Sequence, residues 1–239
     1  MQRSQAFIDP AQGLCRDVKV TEGAGMKIIS LNVGLPREVS YKGKTVTTGI
    51  FKQPVTGRLM MRRLNLDGDR QADLKVHGGA EKAVYLYPAE HYEWWRGELP
   101  EVDFTPGIFG ENLTVSGLRE DKVNIGDRFR IGQAEVMVTQ PRLPCYKLGV
   151  RFGRDDIIKR FLESGRTGFY LAVLREGEVG AGDQVELLSR AAECFTVADL
   201  TSLFVRERRN PEKLRRAVSV AALPESWRDW VRQQSENSA

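Results

Sequence analysis

One stretch of the sequence sets a thiol in a stiff, basic frame. In Thr139-Gln140-Pro141-Arg142-Leu143-Pro144-Cys145-Tyr146-Lys147, two prolines restrict the backbone on the approach to Cys145. From Gln140 to Arg154 the chain carries four cations, Arg142, Lys147, Arg151 and Arg154, and no acid. Neighbouring cations pull a thiol below its usual pKa of about 8.5, and the thiolate is the form that attacks electrophiles or binds a soft metal. An inert cysteine packed as a small hydrophobe fits these residues equally well. Cys15 and Cys194 lack comparable surroundings.

A second acid-free stretch runs from Val39 to Leu66, with Lys42, Lys44, Lys52, Arg58, Arg62 and Arg63 among strand-forming residues. It reads either as the solvated face of strands or as a wall of an anion pocket, with Thr48 and Lys52 giving a hydroxyl and a cation to phosphate. Lys75-Val76-His77-Gly78-Gly79 joins a histidine to paired glycines, which let backbone N–H groups approach a ligand closely. In Phe109-Gly110-Glu111-Asn112-Leu113, Glu111 and Asn112 become ligand contacts only if the fold aims them at Cys145. Familiar alternatives lack their motifs. The chain has two histidines and no CxxC or HExxH, and no phosphate-binding loop, nucleophile elbow or dinucleotide fingerprint.

The elements that must position these residues are mostly strands. Thr45 to Phe51 and Leu59 to Leu66 are strand candidates, and Val123–Ile131 with Ala134–Gln140 forms a hairpin about Gly132-Gln133. A second hairpin is expected from Phe169–Leu174 and Gln184–Leu188 across a glycine-rich link. One helix is expected to open at Pro88 and run through Trp94 and Trp95, another to span Asp155 to Glu163. Many short strands with few helices over residues 26–190 suggest a β-barrel. Residues 191–239 change character. Thr196-Val197-Ala198-Asp199, Asn210-Pro211 and Pro224 each start a helix, giving a separate three-helix module.

The chain of 239 residues carries 36 Lys+Arg against 32 Asp+Glu, a net +4, and is 41% hydrophobic, the composition of a packed globular protein. No apolar run reaches the roughly 20 residues that span a bilayer, so no membrane association is expected. Three scattered cysteines suit a reducing, cytoplasmic compartment better than a secreted scaffold. Residues 1–25 read as an unstructured extension, with Met26 a candidate start. The basic run Arg206 to Arg216 has no nucleic-acid-reading motif beside it and reads as the solvated face of helices, so no nucleic-acid partner is expected.

Taken in order, Thr48-Gly49-Ile50-Phe51-Lys52, Val76-His77-Gly78-Gly79, His91-Tyr92, Phe109 to Leu113 and Gln140 to Lys147 resemble the YiiM-like branch of the MOSC-domain family, and the trailing helices resemble its three-helix module. The resemblance implies a mainly β fold with α, a MOSC-type β-barrel with peripheral helices followed by that module. It also implies a molybdenum cofactor of molybdopterin type, Cys145 as the molybdenum ligand, and reduction of N-hydroxylated compounds such as N-hydroxylaminopurine bases. Arg37, Thr48, Lys52, Asn112, Arg142 and Lys147 are then the candidates for holding the cofactor, and His77 and Glu111 for the catalytic surroundings of Cys145. Electrons would come from an external donor, a flavoprotein reductase, because the chain has no flavin or iron–sulfur motif of its own. A non-catalytic carrier of cofactor or sulfur through Cys145 is the alternative.

Overall fold

The valine- and isoleucine-rich runs of the sequence become strands of one eight-stranded sheet. The computed structural model describes residues 25–73 and 78–237. The expected N-terminal extension, Gly25 excepted, and the candidate His77 lie outside the described residues. Along the chain come β1 (Lys27–Val33), β2 (Arg37–Tyr41), β3 (Lys44–Thr48), β4 (Gln53–Val55), β5 (Arg58–Met61), β6 (Val84–Pro88), α1 (His91–Glu98), β7 (Leu113–Ser116), β8 (Arg128–Ile131) and β9 (Ala134–Pro141). Then follow α2 (Tyr146–Phe152), α3 (Asp156–Ser164), β10 (Phe169–Arg175), β11 (Gly177–Gly180), β12 (Val185–Ser189), α4 (Val197–Val205), α5 (Pro211–Ser219) and α6 (Glu225–Glu236).

The large sheet has the order β12-β8-β9-β10-β6-β7-β1-β4. Its strands pair antiparallel except β6 with β7. Alternate residues of β9 and β10, among them Ala134, Val136, Val138, Phe169, Leu171 and Val173, are buried, whereas β6 is buried throughout, as a central strand covered on both faces should be. The mainly β fold with peripheral helices stands, but the ring of strands is not closed by a full ladder. The outer edge of β1 is divided. Its end pairs with β4, and only its start meets β12, through the bridge Lys27↔Gln184 and the bonds Ile28 N to Asp183 O (2.9 Å) and Val185 N to Met26 O (2.8 Å).

Several local expectations change. The hairpin of Phe169–Leu174 with Gln184–Leu188 does not form. β10 lies between β6 and β9, β12 pairs with β8, and the glycine-rich link supplies β11, which pairs with β5. The first hairpin starts only at Arg128, because Gly126 (φ 94°) turns the chain and Asn124 bridges to Thr196 instead. Pro88 ends β6 rather than opening a helix, and α1 begins at His91.

Hydrophobic burial gathers into two cores. One packs the strands of the sheet together and continues into Leu200, Leu203, Leu214, Trp227 and Val231 of α4–α6, so the helical module shares the sheet's core. Thr196 and Asp199 make the expected reciprocal cap of α4, and Asn210 caps α5. The indole N–H of Trp227 donates to Gln140 Oε1 of β9 at 2.8 Å, pinning the module to the strand that leads to Cys145. The second core is aromatic. Phe109 stacks on Tyr87 (centroids 4.5 Å apart) and touches Trp95 and Phe161, which ties the Phe109 loop to α1 and α3.

Candidate functional site

β9 delivers its end, Gln140 and Pro141, to one mouth of the sheet, and the two prolines then carry the chain extended to Cys145, the residue before α2. There, Thr48, Lys52, Asn112, Arg142, Cys145 and Lys147 line a single cavity with Arg70, Lys82, Tyr85 and Tyr170. The six are among the nine residues marked from the sequence. The Cys145 side chain is partly exposed. The cavity lining holds five cations, Lys52, Arg70, Lys82, Arg142 and Lys147, against one carboxylate, Asp69, which suits an anionic ligand.

Two of these cations differ sharply in their surroundings. Lys52 is buried and ion-paired with Asp69. Burial pushes its ammonium down, with Asp69 opposing. Asp69 also accepts from Gly34 N and from Asn112 Nδ2, each at 2.9 Å, and Asn112 Oδ1 accepts from Tyr85 N at 3.1 Å. Lys52, Asp69 and Asn112 therefore make a braced floor. Arg142 is only 6% exposed, lies against Tyr85 and Phe161, and its Nη1 has no hydrogen-bond partner among the described residues. A buried guanidinium N–H without an acceptor is costly, and an anion in the cavity would supply one. The phenol of Tyr170 is raised by burial, with Arg142 pulling it back.

Glycine makes this close packing possible at two positions. A Cβ on Gly49 would stand 2.5 Å from Arg70 O, and Gly110, at φ 82°, would press a Cβ to 2.9 Å from Ile50 Cγ1. Both contacts hold cavity-lining segments against one another.

The remaining candidates are placed otherwise. Glu111 does not line the cavity. It is fully buried and accepts from Tyr92 Oη, Gly107 N (2.8 Å), Phe109 N (3.1 Å) and Thr114 Oγ1 (3.0 Å), so it braces the Phe109 loop. Burial pushes its carboxyl up, opposed first by the Tyr92 hydrogen bond. Arg37 lies outside the cavity with its guanidinium carbon 4.0 Å from the centre of the Phe51 ring. The expected basic wall of residues 39–66 reduces to Lys52, since Lys42 pairs with Asp155, Arg58 with Asp183 and Arg62 with Asp67 on the exposed surface. Arg70, Lys82 and Tyr170 were not marked from the sequence. Arg70 follows the turn Asp67-Gly68-Asp69, and Lys82 follows the paired glycines Gly78-Gly79, signals that point at their loops but not at their side chains.

Among the described residues no three His, Cys, Asp or Glu side chains gather as a metal site. A metal here would have one protein thiol and draw its other ligands from a cofactor. The partly exposed sulfur, the acceptor-less Nη1 of Arg142 and the cationic lining suit an anionic metal cofactor in that arrangement. No helix among the described residues is long and apolar enough to cross a membrane.

The chain matches known proteins over most of its length. Residues 73–186 match the MOSC domain and residues 195–234 the YiiM-like 3-alpha helix domain. The chain is 45% identical over 201 residues to the uncharacterized protein YflK of Bacillus subtilis, spanning 84% of this chain and 90% of that one. It is 40% identical over 182 residues to protein YiiM of Escherichia coli (75% and 81%). A protein of Gibberella moniliformis called a reductase is 37% identical over 161 residues, 66% of this chain but 28% of its own length. The crystal structure of YiiM from Geobacillus stearothermophilus superposes with a TM-score of 0.74 at 34% identity, covering 88% of this chain and 99% of that one.

Proposed function

The chain belongs to the MOSC-domain family, in the branch with a YiiM-like three-helix module, and on that footing we propose that it is a molybdenum-cofactor-dependent oxidoreductase that reduces N-hydroxylated compounds. The observation that carries the proposal is the meeting, in one cavity, of the partly exposed Cys145 thiol and the buried Arg142 guanidinium, whose Nη1 has no acceptor among the described residues. The relative called a reductase supports the redox assignment.

Cys145 would ligate the metal through its sulfur, as a thiolate. Arg142, Lys147, Arg70 and Lys82 would hold the anionic groups of the cofactor, and the ring faces of Tyr85 and Tyr170 would bound it. The Lys52–Asp69–Asn112 floor keeps these walls in place. When bound, the cofactor supplies the two-electron metal chemistry that takes the hydroxyl oxygen from an N–OH group. The overall change consumes two electrons and two protons and gives the amine and water. Tyr170, whose phenol burial keeps protonated, lines the same cavity and would be a proton donor to the departing oxygen. The electrons come from an external flavoprotein reductase, and neither nucleic acid nor membrane has a part.

The test is molybdenum and pterin content, together with reduction of 6-N-hydroxylaminopurine by a chemical reductant, for wild type beside Cys145→Ala. Loss of turnover and of metal in the variant is expected. Equal activity in both would overturn the proposal, and wild type that binds molybdenum yet turns nothing over would be a carrier instead.

A further inference from the structure

Phe51 lies between two cavity-lining residues, Ile50 and Lys52, yet its own ring faces away into a second basic cluster. The guanidinium carbon of Arg37 lies 4.0 Å from the ring centre, and that of Arg151 lies 5.1 Å from it. The fold builds this convergence from two sides. Arg37 of β2 is directly opposite Thr48 of β3, so both side chains leave the same face of the ribbon, and Thr48 lines the cavity. Arg151 lies one helical turn beyond Lys147 on α2, and Lys147 lines it too. The ribbon is held against α2 where the Tyr41 hydroxyl reaches Gly149 and bonds Asp155.

Neither guanidinium has an ion pair or hydrogen bond among the described residues, and Arg151 Nε is buried without an acceptor. The contrast with the neighbouring cations is sharp, since Lys42 and Arg154 on the same two elements' flanks are both paired with carboxylates. Burial pulls Arg151 down, and repulsion from Arg37 adds to it. The acid felt there, Glu111, already accepts four hydrogen bonds.

We propose that Arg37 and Arg151, braced on Phe51, form a phosphate subsite beside the main cavity, so that an N-hydroxylated nucleotide is preferred over the bare base as substrate. Paired guanidinia match a phosphate monoester in charge and in donor geometry, and the cation–π seat holds them ready without a carboxylate to displace. This deepens the redox reading and rests on it for the word substrate, but its test needs no turnover.

Binding of adenosine 5′-monophosphate and of adenosine to the protein as isolated is compared by calorimetry, with inorganic phosphate as a third probe. The nucleotide should bind at least tenfold more tightly than the nucleoside. In Arg37→Gln/Arg151→Gln that advantage should vanish, with circular dichroism unchanged, whereas each single variant should lose part of it. Equal binding of the two probes by wild type would overturn the proposal. So would an advantage that survives the double variant, or a double variant whose loss is confined to its pterin content, which would assign the pair to the cofactor. Failure of Cys145→Ala to lose activity would leave these binding results standing, so the two readings fail separately.

Discussion

Replacing Asp69 by alanine strips a buried ammonium of its counter-ion. The Lys52 and Asp69 side chains are 8% and 1% exposed, so water cannot take the place of the lost carboxylate. Removing one partner of a buried pair costs about 3–5 kcal/mol. The variant also leaves Gly34 N and Asn112 Nδ2 without their acceptor, so the upper end of that range applies. For a chain of this size each kcal/mol moves the melting temperature by about 2–4 °C, which for a loss near 5 kcal/mol gives a fall of roughly 10–20 °C. The pH dependence fixes the cause. Burial already holds Lys52 below its ordinary value, so the unfolded chain binds the extra proton and stability rises with pH as the folded-state lysine titrates. Without Asp69 the folded-state value falls further and this window widens downward. The gain therefore begins at lower pH in the variant than in wild type and ends near the ordinary lysine value of about 10.4. Urea denaturation at neutral and alkaline pH measures both effects. Asp69→Ala/Lys52→Met, which removes both charges, should recover most of the loss. A single variant within about 1 kcal/mol of wild type, or a double variant no more stable than the single, would refute the reasoning.

Two further substitutions separate packing from function. Arg142→Met removes a buried guanidinium that has an unpartnered Nη1, so stability should hold or rise by about 1–3 kcal/mol in urea denaturation while affinity for inorganic phosphate in the cavity falls at least tenfold by calorimetry. Trp227→Phe deletes the bond to Gln140 and strands a buried amide whose Nε2 is already without a partner, a loss of about 1–3 kcal/mol. Because α4–α6 share the sheet's core, its thermal unfolding should remain a single transition by calorimetry, and a separate melt of the helices would contradict that.

What the sequence discloses about the fold divides by the range of the interactions involved. The three C-terminal helices are legible because their starts are local. Thr196 bonds Asp199 and Asn210 bonds Lys213 N, each three residues on. The β8–β9 hairpin is legible for the same reason, a two-residue turn at Gly132-Gln133 joining alternating runs. The hairpin expected between residues 169 and 188 fails because alternation identifies a strand without naming its partner. β10 finds β6, some eighty residues earlier in the chain, and leaves β12 to β8. Closure of the ring fails likewise, since nothing in Lys27–Val33 tells that its outer edge will be divided between β4 and β12.

Charge is the harder quantity to read, and the cavity shows why. A run of cations without a local acid looks like an anion site, but acids for Lys42 and Arg58 arrive from 113 and 125 residues away and neutralise them at the surface. Conversely, the local signals near Arg70 and Lys82 mark their loops and not their side chains, yet both line the cavity. What marks a cation for ligand binding is the absence of an acceptor once the chain is folded, a property of three-dimensional pairing. By that measure Arg142, Arg37 and Arg151 stand apart from the paired arginines Arg58, Arg62 and Arg154. These three guanidinia, none paired with a carboxylate, sit on β2, on the β9–α2 connection and on α2. Arg142 Nη1 and Arg151 Nε, buried without an acceptor, carry a standing desolvation cost, and an anionic ligand spanning the cavity and the Phe51 cluster is the occupant that would relieve it.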